Sequence, residues 1–252
     1  MQREPAFNVP GIIVGLIAIL GAIHFVRAYL LTPDQDQLML ALMAFDPIRY
    51  ESSILPGYVL PGGFGAEIWT FFTYALIHGS WVHYGVNMIW FLPFGSALAR
   101  RFGPWRFMGF FVATAVAGAF AHLAAYAGQN APVVCASAAI SGTMAGAMRF
   151  AFQPGGPLHF LRSGDDTDYR VPALPLSGVF RDPRVLIFLG VWFGINFLFG
   201  ATSLSAGTGL GTGAIVAWQA HIGGFVAGLV LFAWFDPAPE TPQFDDFDAM
   251  RH

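Results

Sequence analysis

The chain has 252 residues, 56% of them hydrophobic and only 11% charged, with a net charge of −3. Soluble domains carry about 25% charged residues, so a chain this apolar cannot clothe itself in a water-facing surface, and its composition points to a membrane as its solvent. All the basic residues are arginines, and the single cysteine, Cys135, excludes an internal disulfide or a zinc site built on several thiolates.

Six apolar runs follow in order: residues 11–31, 81–98, 107–127, 132–152, 185–204 and 213–235. Each approaches the length of a bilayer helix, and none contains Asp or Glu. No small-residue cleavage site clearly follows the first run, so it reads as a retained span. The fold class expected is therefore all-α, a polytopic membrane bundle of six transmembrane helices over residues 11–235. Residues 1–10 form a cytoplasmic N-terminus in this reading. Residues 32–80 form a long outer loop, 153–183 a linker-like cytoplasmic loop, and 236–252 an acidic, disordered cytoplasmic tail.

The arginines orient the spans. With a cytoplasmic N-terminus, Arg3, Arg100, Arg101, Arg106, Arg149, Arg162, Arg170, Arg181, Arg184 and Arg251 face inward, and only Arg27 and Arg49 face outward. Ten against two is a strong positive-inside bias, consistent with a cell (inner) membrane and cytoplasmic termini.

Polar groups inside a span are costly and need a partner or a task. His83 and Asn87 lie at i and i+4 on one helical face of the second span. Ser137 stands near the start of the fourth, roughly 7 Å from Pro132 along a helix, and His221 in the sixth, roughly 12 Å from Gly213. The second, fourth and sixth spans all start outside, so these four groups share one shallow outer layer. Ala138, Gly142 and Gly146 form a small-residue stripe, and Gly224 and Gly228 form another on the face of His221. Such stripes let helix backbones approach closely, which would bring a serine hydroxyl within reach of an imidazole. Asn196 in the fifth span is expected to bond a neighbouring helix. Cys135 is expected to pack, since a helical i, i+2 offset would turn it away from Ser137.

In this order the chain resembles the rhomboid family of intramembrane serine proteases. The matching pieces are Trp69, Thr73, His78, His83-x-x-x-Asn87, Gly95, Ala136-Ser137 through Gly142, and Ala220-His221-Ile222-Gly223-Gly224, spread over residues 68–235. The resemblance implies Ser137 as nucleophile and His221 as general base, with no acidic third member. It implies that His83, Asn87 and the Ser137 backbone N–H stabilise the oxyanion. It also implies transmembrane protein substrates, and a gating role for the fifth span and the loop after it. Cys135 and Ala138 stand where the family usually has glycines. Ser141 stands where it often has an aromatic ring stacked on the histidine, so another group has to orient His221, a hydroxyl hydrogen bond being the one expected.

No cofactor, metal or nucleic acid is expected. His78 and His83 are five residues apart on different helical faces, and no His-Glu-x-x-His motif is present. Two alternatives stay open: a catalytically inactive rhomboid-like protein that binds membrane clients, and a small transporter or channel. Polar residues at one shallow depth, instead of along a path across the bilayer, argue against the latter.

Overall fold

A computed structural model describes residues 9–51, 60–158, 169–201 and 217–237. These residues are helical apart from turns and one isolated antiparallel bridge, Phe45–Val133. The helices are α1 (Gly11–Tyr29), α2 (Pro33–Met43), α3 (Gly63–Thr73), α4 (Trp81–Phe102), α5 (Pro104–Ala125), α6 (Ser137–Met148), α7 (Leu176–Val179), α8 (Pro183–Ala201) and α9 (Trp218–Phe235). Among the described residues α1, α5 and α9 are long and apolar enough to cross a membrane, and α8 is a shorter apolar helix.

The boundaries have local causes. The Ser80 hydroxyl caps α4 by accepting from the His83 N–H at 3.1 Å. Gly103, at φ 75°, ends α4, and Pro104 opens α5, where its missing N–H costs nothing. The fourth apolar run departs from expectation. It is not helical from Pro132; residues 132–135 run outside any helix, Ala136 forms a turn, and the helix starts only at Ser137. Val133 exchanges backbone hydrogen bonds of 2.8 and 3.1 Å with Phe45, and Cys135 N–H donates to Tyr74 O at 3.0 Å. These outside partners satisfy groups that a helix would have paired internally.

The described parts of both long connections are more structured than the sequence suggests. The outer loop carries α2 and α3, tied by Trp69 Nε1 donating to Leu42 O (2.7 Å) and Thr73 Oγ1 to Met43 O (2.9 Å). The Arg27 guanidinium forks onto the Asp36 carboxylate at 2.7 and 3.1 Å and joins this layer to α1. In the described part of the 153–183 loop, Arg101 donates to Tyr169 O and Val171 O, and Arg149 to Leu174 O. The stretch from Tyr169 to Leu174 is thus packed onto the bundle. Asp236, the first residue of the expected disordered tail, is fixed by Arg101 through hydrogen bonds of 2.6 and 2.8 Å. Residues 1–8, the loop at 205–212, the start of the sixth run at 213–216 and the tail from 238 onward lie outside the described residues.

The α5–α6–α9 core positions the site. α9 packs most extensively on α5 and α6. A Cβ added to Gly224 would overlap the Ala138 carbonyl, and one at Gly228 the Gly142 carbonyl. The two small-residue stripes therefore face one another in register, as the four-residue spacing predicted, with Ser137 and His221 just outward of the first contact.

Candidate active site

Ser137 opens α6, and His221 stands one turn into α9. Close approach of these helices puts Ser137 Oγ 2.6 Å from His221 Nε2. A cavity of about 450 Å³ adjoins the pair, and its lining runs from Ser137, His221, His83 and Asn87 out to the Arg27–Asp36 ion pair.

The extended segment before Ser137 has a second consequence. As the first residue of its helix, Ser137 has a backbone N–H without an intrahelical acceptor. That N–H points to Cys135 Sγ at 3.2 Å. Asn87 Nδ2 lies 3.2 Å from the same sulfur and also donates to His83 O at 2.8 Å. The His83 ring also lies near this thiol and lines the same cavity. Two of the three donors expected to hold an oxyanion, the Ser137 N–H and Asn87 Nδ2, thus converge on one point, and the Cys135 sulfur occupies it. The i, i+2 argument for Cys135 fails because residue 135 is not in a helix; the extended backbone turns the thiol into the site.

The group orienting His221 also differs from expectation. Ser141 donates back to Ser137 O at 2.7 Å and does not bond the imidazole. Asn196 Oδ1 of α8 lies 2.5 Å from His221 Nδ1. The cost of an amide in an apolar span flagged Asn196, but no linear pattern paired it with a residue 25 positions away. Beside the site, His78 is fully buried with both ring nitrogens unpartnered. Desolvation, with His83, His24 and Arg27 nearby, lowers its pKa to about 3, so it is neutral. Among the described residues no cluster of three or more His, Cys, Asp or Glu is arranged to hold a metal.

The helical bundle thus brings a serine hydroxyl, an imidazole and converging N–H donors together beside one cavity. Residues 65–236, well over half of the chain, match the Rhomboid domain, and the chain belongs to the rhomboid family of intramembrane proteases. It is a multi-pass membrane protein of a family that acts on transmembrane substrates in the bilayer. No curated protein matches the chain.

Proposed function

We propose that this protein is an intramembrane serine endopeptidase that hydrolyses peptide bonds in or near transmembrane segments of other membrane proteins. The observation that carries the reading is the 2.6 Å Ser137 Oγ–His221 Nε2 contact beside a cavity that His83 and Asn87 also line. Ser137 Oγ attacks the scissile carbonyl carbon while its proton passes to His221 Nε2. The carbonyl oxygen becomes an oxyanion, held by the Ser137 N–H, Asn87 Nδ2 and His83 once the Cys135 sulfur has swung aside. The C–N bond then breaks, and His221 returns the proton to the leaving amine. Water, deprotonated by His221, releases the acyl group and restores Ser137.

The topology that goes with this chemistry has six spans, α1, α4, α5, α6, α8 and α9, in the cell (inner) membrane with both termini cytoplasmic. The 12-residue α6 covers about 18 Å, less than the ~30 Å hydrocarbon core. The non-helical stretch 132–135 adds up to about 13 Å. Non-helical backbone at that depth is tolerated where it is buried in protein or lines a wet cavity, and Val133 and Cys135 do both.

Cleavage of a membrane-anchored reporter by wild type, lost in Ser137→Ala and His221→Ala at unchanged expression, is the expected result. Equal cleavage by all three would refute the assignment. One observation favours a second reading, an inactive relative that binds membrane proteins: the Cys135 sulfur already fills the point where the donors meet. A fluorophosphonate probe separates the two, because only the protease is labelled at Ser137.

A further inference from the structure

We infer that Asn196 is a positioning residue that fixes the tautomer and orientation of His221, so that the working unit is Ser137–His221–Asn196 drawn from α6, α9 and α8. The inference rests on the protease reading. A neutral imidazole carries its proton on one nitrogen, and only the tautomer with Nδ1–H leaves a lone pair on Nε2 to take the serine proton. The group facing Nδ1 therefore decides whether the base is competent.

That group is the Asn196 side-chain oxygen, 2.5 Å away. An amide can present either its oxygen or its nitrogen, but here a third partner makes the choice. Asn196 Nδ2 donates to Trp192 O at 2.8 Å. Turning the amide over would face two oxygens, Oδ1 and Trp192 O, and break that bond. With Oδ1 toward the ring, Nδ1 must be the donor and Nε2 the acceptor. Among the described residues no other hydrogen bond to Nδ1 is present.

The same helix pair is locked one turn away. Trp192, four residues before Asn196, stacks on Phe225, four residues after His221, with centroids 4.9 Å apart and planes 27° apart. Both rings are buried. The stack sets the register of α8 on α9 and so brings the amide level with the imidazole. When His221 takes the serine proton, the amide oxygen goes on accepting from Nδ1–H. It supports the imidazolium without placing a second charge in an apolar wall. Ser137 and His221 stand on the tightly packed α6–α9 pair, whereas Asn196 rides on α8. A displacement of α8 away from α9 thus removes the acceptor and disarms the base.

The test uses the full chain in detergent, with selectively ¹⁵N-labelled histidine and a fluorophosphonate probe. Asn196→Leu fills a similar volume but has no acceptor; Asn196→Asp keeps one. In Asn196→Leu the maximal rate of Ser137 labelling falls about 10–100-fold, as expected when tautomer control is lost, and probe affinity stays within about two-fold. The His221 ring signals move away from the Nδ1–H pattern of the wild type. Asn196→Asp keeps that pattern and labels within about ten-fold of wild type, and it carries the test if the leucine variant does not fold. Wild-type labelling in Asn196→Leu, or a loss of reactivity with the ring pattern unchanged, overturns the inference. The outcomes separate from the parent reading. A wild type that never labels at Ser137 sinks the protease, whereas a wild type that labels beside an indifferent Asn196→Leu sinks only the positioning role.

Discussion

Gly228→Ala adds one methyl group, at the point where α9 lies against the backbone of α6. The new Cβ would overlap the carbonyl oxygen, Cα and carbonyl carbon of Gly142. These are main-chain atoms in a buried helix and cannot swing away like the end of a side chain. Non-bonded carbons settle about 3.5–4.0 Å apart, so the two helices must separate locally by roughly 1 Å. Carried to the neighbouring turns, that shift lengthens the 2.6 Å Ser137–His221 contact beyond hydrogen-bonding distance. Misplacement of that size costs about 10²-fold in rate, and overpacking costs about 1–3 kcal/mol of stability. The assay is the labelling rate of Ser137 by a fluorophosphonate probe, read beside the thermal midpoint in detergent. Gly85→Ala is the control, since a Cβ at Gly85 meets nothing within 4 Å. A folded Gly228→Ala protein that labels as fast as the control would refute the claim that close backbone approach builds the dyad.

Asn87→Ala removes one of the converging donors and should slow proteolysis about 10²–10³-fold with little change in probe binding, measured by steady-state cleavage of a reporter. Cys135→Gly clears the sulfur from the point that Asn87 Nδ2 and the Ser137 N–H share; labelling should speed up several-fold, about 2–10-fold if one weak hydrogen bond to sulfur must break first, and a slower variant would contradict the plugging role. His78 gives the pH dependence. Its folded pKa of about 3 lies below the ordinary 6.5, so on acidification the unfolded chain takes up a proton that the folded chain refuses. Stability should be level above pH ~6.5 and fall below it by up to about 1.4 kcal/mol per pH unit until about pH 3. Thermal melts of wild type and His78→Leu check this, the variant losing that part of the slope.

Much of the architecture was legible in the linear chain because lipid imposes one-dimensional rules. Apolar runs and the scarcity of charge are local properties, and they point to helices without knowledge of contacts. The four-residue stripes Ala138–Gly142 and Gly224–Gly228 were legible for the same reason: a helix turns sequence spacing into a face, and two small faces have few other ways to pack. Those stripes pointed to Ser137 and His221, which the structure brings together. Where the backbone stops being helical, that inference ends. Pro132 to Cys135 looks like the first turn of a span, yet Phe45 and Tyr74, distant in sequence, capture the backbone of Val133 and Cys135 and hold it out of the helix. That non-local pairing makes Ser137 the first residue of α6 and aims the Cys135 thiol at Asn87 Nδ2 and the Ser137 N–H. The partner of His221 was hidden in the same way, because periodicity says which face Asn196 occupies but not which helix lies against that face or at what height. Sequence alone marked the apolar runs and their polar exceptions, each set by local chemistry; tertiary packing decided where the helices begin and which exceptions meet, since hydrogen-bond partners across helices depend on register and rotation that no single segment encodes.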